Sequence, residues 1–170
     1  VIRNKIDIDQ SAKDAFEAQR IPVKEYFTTP TPLNNFLWYV AASVEDGYYI
    51  GYRSILDVAE MPPMRFVPRN ESLLHDRLGD EDVRKLIRFS AGYYAASAAG
   101  GTTYINDLRF GQVGGWSDAD APFVFRYALT EGADNDLVIQ NLCSVFIIFF
   151  LFICFSHVTN FYSHFKILFF

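Results

Sequence analysis

The side chains able to do chemistry are few and scattered. His75 stands alone in the charged part of the chain, with no cysteine near it in sequence. His157 and His164 are seven residues apart and share one face if that stretch is helical. A zinc-binding helix uses a spacing of about three or four, so this pair does not fit one. Cys143 and Cys154 lie in an apolar stretch, in neither a zinc pattern nor a disulfide framework, and read as small apolar side chains. Asp118, Asp120, Glu131, Asp134 and Asp136 do not make the D-x-D-x-D-G loop of a calcium site. Gly111, Gly114 and Gly115 match neither a phosphate loop nor a dinucleotide fingerprint, and Ser90-Ala91-Gly92 is not a nucleophile elbow. Asp107 and Arg109 are two residues apart, so on a strand they share a face and predict an ion pair or a turn brace. The aromatic set Trp38, Tyr39, Tyr48, Tyr49, Tyr52, Tyr93 and Tyr94 reads as sheet core before it reads as a ligand platform. No catalytic residue and no metal ligand is assigned to this chain.

Charge divides the sequence in two. Every acidic residue lies at or before Asp136, and beyond it the only charged side chain is Lys166. An acidic body of ordinary composition is followed by an apolar tail. The body carries no basic run, so nucleic acid is not an expected partner. With 17 Phe and 10 Tyr among 170 residues, the chain has enough apolar surface for a real core. It opens on Val1 with no apolar leader, which reads as a fragment or a processed chain. The division predicts a soluble α+β domain over 1–141 and a hydrophobic tail over 142–170.

The elements that must position these side chains can be read from periodicity. Ile8 to Arg20 has helical spacing of Ile8, Ala12, Ala15, Phe16 and Ala18, with Asp9 or Ser11 as its cap, and Ile21-Pro22 ends it. Thr28-Thr29-Pro30-Thr31-Pro32 predicts a rigid, extended linker, because each proline disfavours the α region in the residue before it. Phe36–Val44 and Tyr48–Ser54 have strand composition on either side of Asp46-Gly47, a hairpin signal that expects Gly47 at positive φ. Met64–Val67 predicts a short strand. Asp80–Phe89 predicts a helix capped by Asp80, burying Val83, Leu86, Ile87 and Phe89, with Gly92 as its stop. Tyr93–Ala96 and Thr102–Asn106 predict two strands joined across Gly100-Gly101. Phe123–Leu129 predicts a strand covered on both faces. The order α, β, β, β, α, β, β, β gives an α+β fold with a mainly antiparallel sheet and two short helices, followed by an apolar helical tail.

The tail has two readings. Leu142 to Phe155 is apolar except for Ser144, which is short of the ~18–20 residues of a spanning helix. A span from about Leu142 to Tyr162 restores the length, with Tyr162 at an interface and Lys166 beyond it on the cytoplasmic side. The rival reading is an aberrant sequence that does not belong to the body.

A wider pattern runs through Thr29-Pro30-Thr31-Pro32-Leu33-Asn34-Asn35-Phe36-Leu37-Trp38 and Gly47-Tyr48-Tyr49-Ile50-Gly51-Tyr52, with Ser54 and Asp57. It continues at Arg65-Phe66, Pro68-Arg69-Asn70, Val83 to Tyr94, Asn106 to Gly111 and Phe123 to Tyr127. These pieces, in this order, resemble the segment that follows the last membrane helix in inner-membrane metal-dependent hydrolases of the YdjM type. The resemblance covers most of residues 4 to 140. It implies a parent protein whose N-terminal membrane helices carry His and Asp ligands for a divalent metal, zinc or similar, with none of those ligands in this chain. It implies hydrolysis by a metal-activated water in the bacterial inner membrane, this body being exposed to solvent and covering or shaping the site. On that reading Asn34, Trp38, Arg69, Asp107 and Arg109 are the candidate binding residues, and the partners are the membrane and a small-molecule or lipid substrate. The apolar tail departs from the family's pattern. The alternative is a non-catalytic, membrane-anchored binding or structural module.

Overall fold

The computed structural model describes residues 2–31, 35–58, 61–131 and 137–141, the last five by their backbone. The fold is α+β, with two four-stranded antiparallel sheets. The chain runs α1 (Ile2–Ala18), β1 (Glu25–Pro30), β2 (Leu37–Ser43), β3 (Gly47–Ser54), β4 (Arg65–Pro68), a 3-10 helix (Glu71–Arg77), α2 (Glu81–Phe89), β5 (Tyr94–Ala99), β6 (Thr102–Gln112), β7 (Phe123–Glu131) and β8 (Leu137–Asn141). Within each sheet every strand pairs with its neighbour in the chain.

α1 begins six residues before the expected Ile8. Asp9 and Ser11 are therefore interior residues, not caps. Asp9 pairs with Lys5 one turn back at 2.9 Å, and Ser11 returns its hydroxyl to the Asp7 carbonyl. The helix ends in a reciprocal pair of bonds: Arg20 N–H donates to Glu17 O and Ile21 N–H to Phe16 O. That closure places Arg20 at φ 54, a left-handed position usually given to glycine. Ile8, Ala12, Ala15 and Phe16 are buried against Trp38, Val40 and Ala42 of β2.

The expected linker is a strand. β1 pairs with β2 from Glu25↔Ser43 to Pro30↔Trp38. Proline is tolerated because β1 is the sheet's edge and Pro30 its last residue. β2 and β3 form the expected hairpin, with Tyr39 opposite Tyr52 and Ser43 opposite Tyr48. The turn differs from expectation. None of Glu45, Asp46 and Gly47 has positive φ. Gly47 is the first residue of β3, and a Cβ there would lie 2.4 Å from the Val67 carbonyl oxygen of β4. Glycine is required by the close approach of two strands, not by a left-handed turn.

Strand alternation then builds layers. On β2, Trp38, Val40 and Ala42 face α1, while Tyr39 and Ala41 join Tyr48, Ile50, Val67, Ala95 and Leu108 between the sheets. Burial on both faces explains the unbroken apolar run in β2. On the far side of the second sheet, Tyr94, Ala96, Ile105 and Leu129 pack on Leu74 of the 3-10 helix and Val83, Leu86 and Ile87 of α2. The order is helix, sheet, sheet, helices.

Asp80 stands at the N-cap of α2, but its side chain makes no capping bond. Phe89, expected on the buried side, is 57% exposed and carries the Arg109 guanidinium at 4.8 Å from its ring centroid. β5 and β6 are joined as expected across Gly100 and Gly101, both at positive φ, in a two-residue turn with Ala99 opposite Thr102. The described side chains of β7 are half-buried or buried, as expected of a strand covered on both faces. β8 was not anticipated. The sheets are stitched at one edge: Ala96 N–H donates to Arg69 O at 2.9 Å, and the Asn70 amide donates to Ala96 O at 3.1 Å. The expected tail, 142–170, lies outside the described residues, and no helix among the described residues is long and apolar enough to cross a membrane.

Candidate functional site

The five candidate residues do not converge. Asn34 lies outside the described residues. Trp38 is 2% exposed, with its ring in the layer under α1 and its indole N–H on Asn35 O at 3.2 Å. It is a core residue.

Arg69 sits at the stitched edge, just after β4. Its Nε donates to Tyr48 OH at 3.1 Å, and its guanidinium lies 5.2 Å from the Tyr48 ring centroid. Its Nη1 is 3.6 Å from Glu71 Oε1, which also accepts from Tyr94 OH at 2.9 Å. Tyr48 OH in turn donates to Gly92 O. This chain of bonds ties β3, β5 and the 3-10 helix together. Burial, and then the Glu71 carboxylate, push the Tyr94 phenol well above its ordinary range.

Asp107 and Arg109 share a face of β6, as their spacing predicts. The Asp107 carboxylate is 1% exposed and takes Arg109 Nε on one oxygen at 3.0 Å and Nη2 on the other at 2.6 Å. It also accepts the Arg109 backbone N–H at 3.0 Å. Arg109 lies over the rings of Phe89 and Phe110. The pair braces β6 against the end of α2, on the side of the second sheet away from Trp38.

A different group does share one face, two of its members read from sequence as sheet core and the third not singled out there. Tyr39, Tyr52 and Arg65 lie on adjacent strands on the face between the sheets. Tyr39 is opposite Tyr52, and Arg65 is opposite Ile50, two residues from Tyr52 on the same face. The Tyr39 and Tyr52 rings are 5.2 Å apart. Tyr39 is wholly buried, and its hydroxyl has no hydrogen-bond partner. Arg65 Nη2 is likewise buried without a partner. Tyr52 OH accepts the Gln112 N–H at 2.8 Å. The strand-and-loop segment from Gly111 to Trp116 covers the two phenols. A Cβ on Gly111 would lie 3.1 Å from Tyr52 OH, and one on Gly115 would lie 2.5 Å from it. Trp116 meets Tyr52 edge-on at 6.4 Å. Burial pushes the Tyr39 phenol well above its ordinary value, with Tyr52 adding to the rise and Arg65 opposing it. The phenol is therefore neutral at neutral pH and available as a donor. The sequence signal for this group is the pair Gly111 and Gly115, whose backbone lies directly against Tyr52.

Among the described residues no three His, Cys, Asp or Glu side chains stand close enough to hold a metal ion. The His75 side chain is 85% exposed, with Asp76 at 3.3 Å. His157, His164, Cys143 and Cys154 lie outside the described residues. A cleft of about 500 Å³ runs between α1 and the segment after β3, lined by Ser11, Asp14, Gln19, Arg53, Val58 and Met61 among others, and by none of the five candidates. No family model, curated protein or solved structure matches the chain.

Proposed function

We propose that this chain is the accessory α+β domain of a membrane-bound metal-dependent hydrolase, with the metal ligands on membrane helices outside this sequence. The observation that carries the reading is the ordered run of motifs that resembles the YdjM-type hydrolases. Where those motifs fall supports it. Pro68-Arg69-Asn70 forms the stitch between the sheets, Asn106 to Gly111 holds the Asp107–Arg109 brace, and Gly47 allows β3 to approach β4. A shared scaffold requires such positions more than it requires any surface residue. On this reading the reaction belongs to the membrane helices, and among the described residues of this chain no cluster of three His, Cys, Asp or Glu side chains could hold a metal. The role of this chain is then to present a rigid four-layer body beside the catalytic helices.

The test is made on the parent protein. Its reading frame upstream of Val1 is read, the whole protein is purified from membranes, and its metal content is measured. Several apolar helices carrying His and Asp, with about one metal or more per chain that is lost on changing those residues, is the expected result. A signal peptide or a second unrelated domain upstream would overturn it, in favour of a membrane-anchored binding module. The present chain alone is expected to purify without stoichiometric zinc or manganese. Metal that is retained, and lost on His75→Ala, would overturn that expectation.

A further inference from the structure

We propose that Tyr39, Tyr52 and Arg65 form a binding site for a small oxyanion, a carboxylate or a phosphoryl group, between the two sheets. The starting point is two donors with nothing to donate to. A buried hydroxyl without a partner loses its bonds to water and gains none in return, and a native fold carries few of them. Here a partnerless phenol on β2 and a partnerless guanidinium nitrogen on β4 lie on the same face of the first sheet, with a second phenol between them on β3.

Charge selects the ligand. Arg65 has no ion-pair partner among the described residues. The Asp107 carboxylate, whose charge also reaches Tyr39, has both oxygens taken by Arg109. A bridging water would satisfy the two donors but leave the cation uncompensated. An oxyanion supplies acceptor lone pairs and the missing charge together. The guanidinium fork matches both carboxylate and phosphate oxygens.

The surroundings are those of a built site. Tyr39 forms a rigid floor in the core. Gly111 and Gly115 keep side chains away from Tyr52 OH, and the Gln112 N–H fixes that hydroxyl by donating to it, so its own proton is free to point elsewhere. Tyr52 and Arg65 are half-buried, and Trp116, on the edge of Tyr52, is 59% exposed. The cluster thus runs from the core to the surface.

The experiment titrates the full chain with sodium phosphate and, separately, sodium acetate, each against sodium chloride at equal ionic strength. Melting temperature and Trp116 fluorescence are read, Trp38 being buried in another layer. A saturable rise in melting temperature, with a saturable fluorescence change, is expected for at least one of the two anions. Which anion acts tells a phosphoryl site from a carboxylate site. Tyr39→Phe and Arg65→Gln should each weaken the response at least tenfold. Neither removes a bond that the free protein has, so both should fold. The proposal is overturned if neither anion exceeds chloride, or if the variants respond like the parent. A lower melting temperature for anion-free Tyr39→Phe would also overturn it, by showing that the hydroxyl is already satisfied by water. These outcomes do not depend on the hydrolase reading, which stands or falls on the upstream helices.

Discussion

Arg20 occupies a backbone position that suits glycine. With φ at 54 it closes α1, and left-handed backbone costs a residue with a Cβ roughly 1–2 kcal/mol. Replacing it by glycine relieves that cost and adds some unfolded-state entropy. Arg20→Gly is expected to stabilise the chain by about 0.5–1 kcal/mol, read as a higher urea midpoint at unchanged slope. Gly47 is the opposite case. Its backbone is ordinary and its space is not, because a Cβ would meet the Val67 carbonyl at 2.4 Å. Gly47→Ala should cost about 1–3 kcal/mol through displacement of β4. A midpoint unchanged by that substitution would show that β3 and β4 can separate freely. An Asp-Gly pair signalled a turn, and a turn is there, but its glycine serves the third strand. Sequence alone does not reveal which neighbour comes close.

At the scale of elements, local patterns were legible and edges were not. α2, the Gly100-Gly101 hairpin and the β2–β3 hairpin are written in periodicity and turn residues that act within a few positions. β1 was hidden by Pro30, which marks a linker unless an edge position is known. β8 was hidden by the long apolar stretch that follows it directly. The candidate site fared worse. Trp38, Arg69 and Asp107 come from the family resemblance, and they lie in three different places: under α1, at the stitched edge, and against the end of α2. Tyr39, Tyr52 and Arg65 became visible only once three strands put them on one face. The sheets also bury phenols. Tyr39, Tyr52, Tyr93 and Tyr94 are all raised above the ordinary phenol value of 10.0, burial being the first cause in each. The unfolded chain therefore gives up these protons first as pH rises. Stability should be level below pH about 10 and fall above it. Melting temperature followed from pH 8 to 12 checks this, and Tyr94→Phe should make the fall shallower. A fall beginning near pH 8 would mean that other groups govern alkaline unfolding.

The whole molecule is four layers whose last described strand ends at Asn141, opposite Tyr127 of β7. A shortened chain that keeps β8 whole therefore ends at Asn141. A chain ending at Asn141 keeps every described strand and both helix layers. It is expected to unfold in one cooperative transition, with a midpoint close to that of the full chain and higher solubility. A chain ending at Glu131 strips the edge from β7 and should aggregate. Loss of cooperativity on cutting at Asn141 would mean that the remaining 29 residues complete the core.

Both sheets are meanders, in which each strand meets the one made just before it. This arrangement keeps most pairings short in sequence and holds down the entropy cost of closing loops during folding. Each half can zip along its own chain, hairpin by hairpin, before the other half exists. The contacts that must wait are those across the stitch, where Arg69 and Asn70 find Ala96 and Tyr48 finds Gly92. A nascent chain leaving the ribosome can therefore complete its first sheet while the second is still being synthesised. Joining the two is then a single docking event between preformed surfaces.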